Sequence, residues 1–343
     1  MISMKLLVEE YSERSVIMLF VKHRNTDPYK NHAIEEFLMN KFDEDCFMLW
    51  KNEKCILIGN YQNAYNEINI DYVKQYNIPV VRRITGGGAV FNDEGNFNFS
   101  FISCNVSEDC FNFKKFTIPI VLALNKLGIK AELSGRNDLT IEGKKFSGNA
   151  QYKSKTKVLH HGTLLFSSNI SDLANSLRVN PIKIESKGIN SVKSRVTNIC
   201  EHLKISMTNE EFKEYLFNEV YSTTENSNIY QITEDDWKEI NKIAEEKYST
   251  WEWNYGQNPQ FTMEREKKFV GGIVQASMNF NKNKIQNIKI HGDFFSEKDI
   301  SIVENALIGV SYEYKSMYQV LKDFNMHNYF MNISIQNILD VLI

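Results

Sequence analysis

The sequence has no surplus of positive charge: 40 lysines and arginines stand against 43 aspartates and glutamates, for a formal net charge of -3. Without a basic field there is little to gather a polyanion by counterion release, so nucleic acid is not expected as the principal partner. The local pair Lys282 and Lys284 reads as solvated surface. Cysteine is sparse. Cys46, Cys55, Cys104, Cys110 and Cys200 are odd in number and widely spaced, with no C-x-x-C pair. That argues against zinc or redox chemistry and for reduced, mostly structural thiols. No apolar run approaches the roughly 20 residues that cross a bilayer. Residues 1–11 carry too little apolar length for a signal sequence, so the expectation is a cytoplasmic protein without a membrane partner. Neither an internal repeat nor a low-complexity run is present. What is there, 343 residues with 42% hydrophobic and 24% charged, can bury one large core or two smaller ones.

Asp27-Pro28 reads as an N-cap followed by proline at the first helical position, and Ala33, Ile34, Phe37 and Leu38 recur at helical spacing. A helix over 28–40 follows. Apolar runs at 47–50 and 55–58, parted by the polar residues 51–54, have the pattern of a hairpin that ends at Gly59-Asn60. From 78 to 103, strand-like runs alternate with turn residues around Gly86-Gly87-Gly88, predicting two sheet strands that frame a loop. Next come a helix over 116–127 closed by Gly128, and strands at 130–133, 138–141, 145–152 and 158–166. Thr208 with Glu211 and Thr233 with Asp236 look like caps of two helices, the second running to 247. Residues 249–261, with Trp251, Trp253, Gly256 and Pro259, keep no period and read as an ordered connector. Strands at 269–279 and 285–291 and two helices complete the chain. The expected division is 1–248, a connector over 249–261, and a C-terminal domain over 262–343.

Arg82-Arg83-Ile84-Thr85-Gly86-Gly87-Gly88-Ala89-Val90-Phe91 carries the most chemical information. Three adjacent glycines within a sheet sacrifice backbone entropy and side-chain packing. In return the backbone can approach a ligand, and its N–H groups can turn toward an anion. The two arginines add charge suited to phosphate or carboxylate. The stretch is neither a P-loop nor a G-x-G-x-x-G turn. A bland alternative is a glycine-rich bend with wet arginines.

In the segment 134–150, Glu142-Gly143 is turn chemistry between two strands, so Lys144 and Lys145 point to opposite faces and only one can enter a site. Such a lysine would meet negative charge developing on phosphate or acyl oxygen, and Asp138 is a candidate Mg²⁺ ligand; for the pair taken alone, a surface hairpin with both lysines wet is the better reading. His160 and His161 also face opposite ways, which disfavours a joint metal site and allows one in a pocket and the other in solvent, although a structural histidine is the favoured reading of each taken alone. No G-x-S-x-G elbow occurs and Ser147 has no base beside it, so serine hydrolysis is unsupported.

Together these segments resemble the lipoate–protein ligase A family, within the biotin/lipoate ligase superfamily. The resemblance rests on the glycine stretch from Arg82 to Phe91, then Gly95-Asn96 and Asn98-Phe99-Ser100-Phe101. It continues through Gly135-Arg136-Asn137-Asp138, Lys145-x-Ser147-Gly148-x-Ala150 and His160-His161-Gly162-Thr163-Leu164-Leu165. Lys187-Gly188-Ile189, Ser191-Val192, Ser194-Arg195-Val196-Thr197-Asn198 and the connector Trp251-x-Trp253-Asn254-x-Gly256-Gln257-x-Pro259 complete it.

The resemblance implies an α/β (α+β) fold: a mixed-sheet catalytic domain of the biotin/lipoate ligase type and a small α+β accessory domain. It implies activation of lipoate or octanoate by ATP and Mg²⁺ to an acyl-adenylate. The acyl group then passes to a lysine of a lipoyl domain in a 2-oxoacid dehydrogenase E2 subunit, or of the glycine-cleavage H protein. Position by position, Arg83, Gly88, Ala89, Val90, Phe91 and Lys145 match the ATP site, with Lys145 as the catalytic lysine in preference to Lys144. Lys145, Gly86, Gly87, His161 and Gly162 match the lipoate site. Asn60, Gln62, Asn63, Asn137 and Ser147 resemble polar lining positions, and Asp138 a metal ligand. A monomer is expected, with the C-terminal domain rotating about the connector between half-reactions.

A cysteine-dependent acyl transferase is the nearest rival, but none of the five cysteines falls in these motifs. A non-catalytic lipoate-binding module is the rival of another class. It has no need to retain Arg83, Asp138 and Lys145 together.

Overall fold

The computed structural model describes residues 17–104, 112–178, 195–256 and 263–343. Helix α1 (Pro28–Lys41) starts as its sequence dictates. The Asp27 carboxylate accepts from the N–H groups of Tyr29 at 2.8 Å and Lys30 at 3.2 Å, and Pro28 has no N–H to leave unpaired.

Among the described residues, eleven strands precede the connector: β1 (Met18–Lys22), β2 (Asp45–Trp50), β3 (Cys55–Ile58), β4 (Val80–Arg82), β5 (Val90–Asn92), β6 (Asn96–Cys104), β7 (Ala131–Ser134), β8 (Asp138–Ile141), β9 (Lys144–Lys153), β10 (Lys157–Leu165) and β11 (Ser227–Gln231). Eight form a mixed sheet in the order β11-β1-β2-β6-β10-β9-β8-β7, and the other three form a small sheet ordered β4-β3-β5. The expected hairpin of 47–50 with 55–58 is therefore not made. β2 pairs with β1 and β6, while β3 crosses into the second sheet between β4 and β5. The cause is Asn52, buried in the supposedly polar turn. It accepts from Asn31 at 2.8 Å and donates to Asn92 at 3.1 Å, pinning the chain where it changes sheets. Likewise the segment 78–103 holds three strands instead of two, with the glycine triplet between β4 and β5.

All nine residues of β6 are buried, because the sheet is covered on both faces. Phe97, Phe99 and Phe101 face helices α2 (Phe113–Lys126) and α3 (Asn209–Ser222). α1 and α4 (Glu234–Ile243), which runs on as a π-turn over Ala244–Tyr248, cover Met48, Trp50 and Ile102. Each such side chain, fully buried, stabilises by about 1.5–3 kcal/mol before ordering entropy is set against it. Both expected capping boxes form, at Thr208 with Glu211 and at Thr233 with Asp236. Gly128, at φ +81°, follows the last turn of α2 as expected.

Beyond the connector, β12 (Met263–Phe269), β13 (Gly272–Asn281) and β14 (Lys284–Gly292) make an antiparallel meander with its own apolar cluster. That cluster is closed by α5 (Ser301–Leu307), α6 (Tyr314–Leu321) and α7 (Ile335–Leu342), with a helical turn at Met326–Tyr329. β12 escaped the sequence reading because it is a charged edge strand, Met-Glu-Arg-Glu-Lys-Lys-Phe, of the kind that deters edge pairing.

This C-terminal unit rests on the glycine loop. Tyr61 stacks on Phe294 with centroids 5.2 Å apart, the Gly292 N–H donates to the Tyr61 carbonyl at 2.8 Å, and Arg136 donates to the Gly271 carbonyl. A Cβ on Gly86 would lie 2.4 Å from the Phe294 carbonyl oxygen, so only glycine permits this contact.

Candidate functional site

A cleft in two parts opens where β9, β10 and the glycine loop meet. Its inner part is lined by His32, Trp50, Leu57, Asn98, His161 and Gly162, and its outer part by Arg136, Asp138, Arg178, Arg195 and Lys268. Gly88, Ala89, Asn137 and Lys145 border both. A smaller inner space of mixed polar and apolar walls thus communicates with a cationic outer one.

Lys145 stands at the junction because β9 is irregular. Its pairing with β8 matches Leu139 to Ser147 but Thr140 to Lys145, leaving Phe146 as the extra residue of a bulge. In a regular strand residues 145 and 148 would face opposite ways; the bulge reverses that parity. Lys145 consequently lies over Gly148, where a Cβ would come within 3.0 Å of its Nζ, and pairs with Asp138 Oδ1 at 2.7 Å. Lys144 is exposed.

The two arginines do not stand free in the cleft. Arg82 is fully buried and donates to the carbonyls of Gly59, Asn60, Gln62, Trp253 and Asn254, tying the small sheet to the start of the connector. Arg83 donates to the carbonyls of Leu57, Gly86 and Gly88 and, through Nε, to Thr85 Oγ1 at 2.9 Å. Its charge is felt in the cleft through the loop it shapes. Burial lowers both guanidinium groups to about 10, so both remain cationic at neutral pH.

Behind the loop lies a buried polar chain. Thr85 Oγ1 meets His161 Nε2 at 2.8 Å, and His161 Nδ1 meets Glu35 Oε1 at 2.9 Å. Glu35 Oε2 meets His32 Nδ1 at 2.9 Å, and Ser100 donates to Oε1 at 2.6 Å. Burial works to raise the Glu35 carboxyl, but the flanking His161 and His32 outweigh it and hold it well below the carboxylate range. Burial lowers His32 despite its carboxylate partner. Among the described residues, His32, Glu35 and His161 also bring donor atoms within 4.8 Å of one another, as a metal site would. The two histidines nevertheless sit on separate oxygens at hydrogen-bond distance, whereas a zinc site draws its ligands to about 2.0–2.2 Å around one point. The geometry is that of a hydrogen-bonded chain.

Of the residues singled out from sequence, Arg83, Gly87, Gly88, Ala89, Val90, Asn137, Lys145, His161 and Gly162 line the inner cleft, and Asp138 lines the outer. Others lie elsewhere. Gly86 faces Phe294 instead of the cleft. The Phe91 ring is packed with Ile56 and Ile58 behind the small sheet. Ser147 is buried and accepts from Asn149 Nδ2 at 3.2 Å. Asn60 lines a separate groove beside Tyr61 and Ser296. Gln62 accepts from the Gly59 N–H at 2.8 Å, and Asn63 caps the short helix Ala64–Glu67. These last three serve the loop's architecture, because the turn after β3 runs behind the glycines. His160 is not in solvent as expected. It is stacked against Phe99 and Phe116 on the core face, since β10 is an interior strand. The motif residues Lys187 to Ser194, together with Gln257 and Pro259, lie outside the described residues.

Sequence reasoning missed His32, Glu35, Trp50 and Asn149, and the cations Arg178 and Lys268, and quoted Asn98 as a motif residue without a place in the site. A signal did exist for the first two: His32 and Glu35 are polar residues three apart within a helix and share one face, a spacing that repays suspicion when the neighbours are apolar. Arg178 and Lys268 carry no local motif. As for thiol chemistry, Cys46, Cys55 and Cys104 are buried and none lines the cleft; burial raises Cys104 to about 11.

Residues 27–221 match the family described as the lipoyl protein ligase A/B catalytic domain, and 258–342 match the bacterial lipoate protein ligase C-terminus. Lipoate-protein ligase LplJ of Bacillus subtilis is 44% identical over 95% of this chain and 100% of its own length. Lipoate–protein ligase 1 of Staphylococcus aureus is 43% identical over 92% of this chain and 97% of its own. The P. falciparum LipL1 structure in complex with lipoate superposes with a TM-score of 0.76 at 27% identity, covering 94% of this chain and 97% of that one. A lipoate-protein ligase A bound with ATP superposes with a TM-score of 0.61 at 25% identity, covering 70% and 99%. Fold and sequence together define an enzyme of the ligase class. The chain belongs to the lipoate–protein ligase family.

Proposed function

We propose that the protein activates lipoate or octanoate with ATP and transfers the acyl group to a lysine of an acceptor protein. The acceptor is a lipoyl domain of a 2-oxoacid dehydrogenase E2 subunit or the glycine-cleavage H protein. The observation that carries this reading is the place of Lys145, a lysine on the border between the inner cleft and the cationic outer cleft. Relatives solved with lipoate, with ATP, and alongside an E2 lipoyl domain support the choice of substrates and acceptor.

In the first step a carboxylate oxygen attacks the α-phosphorus, the bond to the β-phosphate oxygen breaks, and pyrophosphate leaves. Two anions must meet for this, and Lys145, steadied by Asp138, would offset the charge of both. The backbone of Gly87 to Val90 forms the wall along which the nucleotide lies, held in shape from below by Arg83. The half-exposed Asp138 carboxylate, facing the outer cleft, has the oxygen chemistry Mg²⁺ shares with substrate phosphates, and would hold the ion that offsets their charge. In the second step the acceptor's neutral ε-amine attacks the acyl carbon, the bond to the AMP oxygen breaks, and the amine proton passes to solvent. Excluding water from the inner cleft protects the mixed anhydride meanwhile.

The reading assigns 1–248 to catalysis, 249–261 to a connector that turns between half-reactions, and 262–343 to an accessory domain closing the outer cleft. The protein would act as a cytoplasmic monomer. None of the described helices is long and apolar enough to cross a membrane. The test is to incubate the protein with Mg-ATP and lipoate, with and without a lipoyl domain, following pyrophosphate and acceptor mass together. Pyrophosphate with a lipoyl mass shift is the expected result; neither signal would overturn the proposal.

A further inference from the structure

We infer that Glu35 is a positioning residue that sets the protonation pattern of the chain Glu35–His161–Thr85–Arg83, and so holds the glycine loop ready for nucleotide. The inference rests on the ligase reading for its kinetic arm and on geometry alone for the rest.

One direction of hydrogen bonding through the chain satisfies both of its ends. At one end Glu35, as a carboxylate, can only accept, so His161 Nδ1 carries a proton to lie 2.9 Å from its Oε1. With that as its one ring proton, His161 has a bare Nε2 that can accept from Thr85 Oγ1 at 2.8 Å. At the other end Arg83 Nε can only donate, and Thr85 Oγ1 accepts from it at 2.9 Å with its own proton left to reach His161. Arg83 in turn holds the Gly86 and Gly88 carbonyls at 2.8 and 2.7 Å, so the chain ends in the loop backbone itself.

Glu35 is the acceptor on which α1, β6 and β10 converge. Besides His161 it accepts from His32 Nδ1 at 2.9 Å and from Ser100 at 2.6 Å, and Ser100 accepts from Trp50 Nε1 at 2.8 Å. An amide of the same shape cannot serve all of these. Its oxygen suits one histidine, while its NH₂ protons confront the N–H of the other, which must then move its proton to the far nitrogen. If His161 is the one that changes, its Nε2–H meets the Thr85 hydroxyl, and the ordered direction of the chain is lost.

The test uses Glu35→Gln, Thr85→Val and the double variant of the full chain. Ring ¹⁵N NMR of the resting protein should show His161 protonated at Nδ1 and bare at Nε2; a proton on Nε2 overturns the inference. Each single variant should lower kcat/KM for lipoate-dependent pyrophosphate release about tenfold. The double variant should be no worse than the poorer single one, because both cut the same chain. A product of the two losses, about a hundredfold, would mean that Glu35 acts independently of the loop, as a merely structural residue would. If Glu35→Gln does not fold, Thr85→Val decides alone: wild-type kcat/KM refutes the role of the chain. A wild-type protein that releases no pyrophosphate would sink the ligase reading and leave the NMR result to judge this one.

Discussion

Adding one methyl group at Gly148 tests the geometry of the site without removing any charge. A Cβ there would lie 3.0 Å from Lys145 Nζ and 3.2 Å from its Cε, closer than side-chain contacts normally come. The crowded atoms are the end of a flexible side chain, and Gly148 has no positive φ, so the backbone can accept alanine. The lysine must therefore yield. Its bridge to Asp138, 2.7 Å long with the two side chains 39% and 30% exposed, contributes at most about 1 kcal/mol to stability. Thermal unfolding should hardly change. Catalysis should change more, because misplacing a catalytic group by about 1 Å can lower a rate about a hundredfold, and the lysine must here give by a few tenths of an ångström. We expect Gly148→Ala to fold normally and to lose about three- to tenfold in kcat/KM for lipoate-dependent pyrophosphate release. Activity at the wild-type level would show that Lys145 does not work from its place above Gly148. A large drop in melting temperature would show that the glycine serves packing instead.

Lys145→Ala should lose about 3 kcal/mol of transition-state stabilisation, roughly a hundredfold in rate, while Lys144→Ala keeps full activity; pyrophosphate release on both variants checks the register of β9. Gly162→Ala would drive a Cβ to 2.2 Å from Asn149 Oδ1 and 2.6 Å from the Phe99 ring, so denaturant unfolding should show a loss of about 1–3 kcal/mol. Asp236 titrates usefully. Burial works to raise its carboxyl, but Lys41, Tyr230 and Thr233 prevail and bring it from 3.8 to about 2. With the folded-state value depressed, the unfolded chain takes up the proton first as pH falls, so this stabilisation is whole above about pH 4 and gone near pH 2. Asp236→Asn should therefore be about 2 kcal/mol less stable than wild type at pH 7 and indistinguishable from it near pH 2, measured by urea unfolding at both pH values.

Local features of the molecule were legible in the amino-acid order because their causes are local. Asp27-Pro28 starts α1, the two threonine boxes start α3 and α4, Gly128 ends α2, and Glu142-Gly143, both at positive φ, turns β8 into β9. Each depends on residues within one turn of one another, where capping and backbone preference act. The same holds for the glycine triplet, whose conformational cost advertises a backbone that something must approach.

Strand partners were another matter. The runs at 47–50 and 55–58 look like a hairpin to any local rule, and only the burial of Asn52 between Asn31 and Asn92 sends them to different sheets. The site divides along the same line. The residue types of the cleft, glycine, lysine and histidine, stood out in the order of the chain, and the family resemblance chose Lys145 over Lys144. Why Lys145 faces the cleft is decided by a bulge at Phe146, which exists only relative to β8. Arg83 reads as a phosphate ligand in sequence and proves to be the buried brace of the loop, because its partners are carbonyls that folding brings beneath it. Glu35 and His161 lie 126 residues apart and meet only across α1 and β10. Sequence by itself determined which chemistry the chain carries and where its helices and turns begin. The tertiary structure decided which charges face the cleft and which hold the scaffold, because a side chain's role depends on its solvent and its partners, and both are set by contacts distant in the chain.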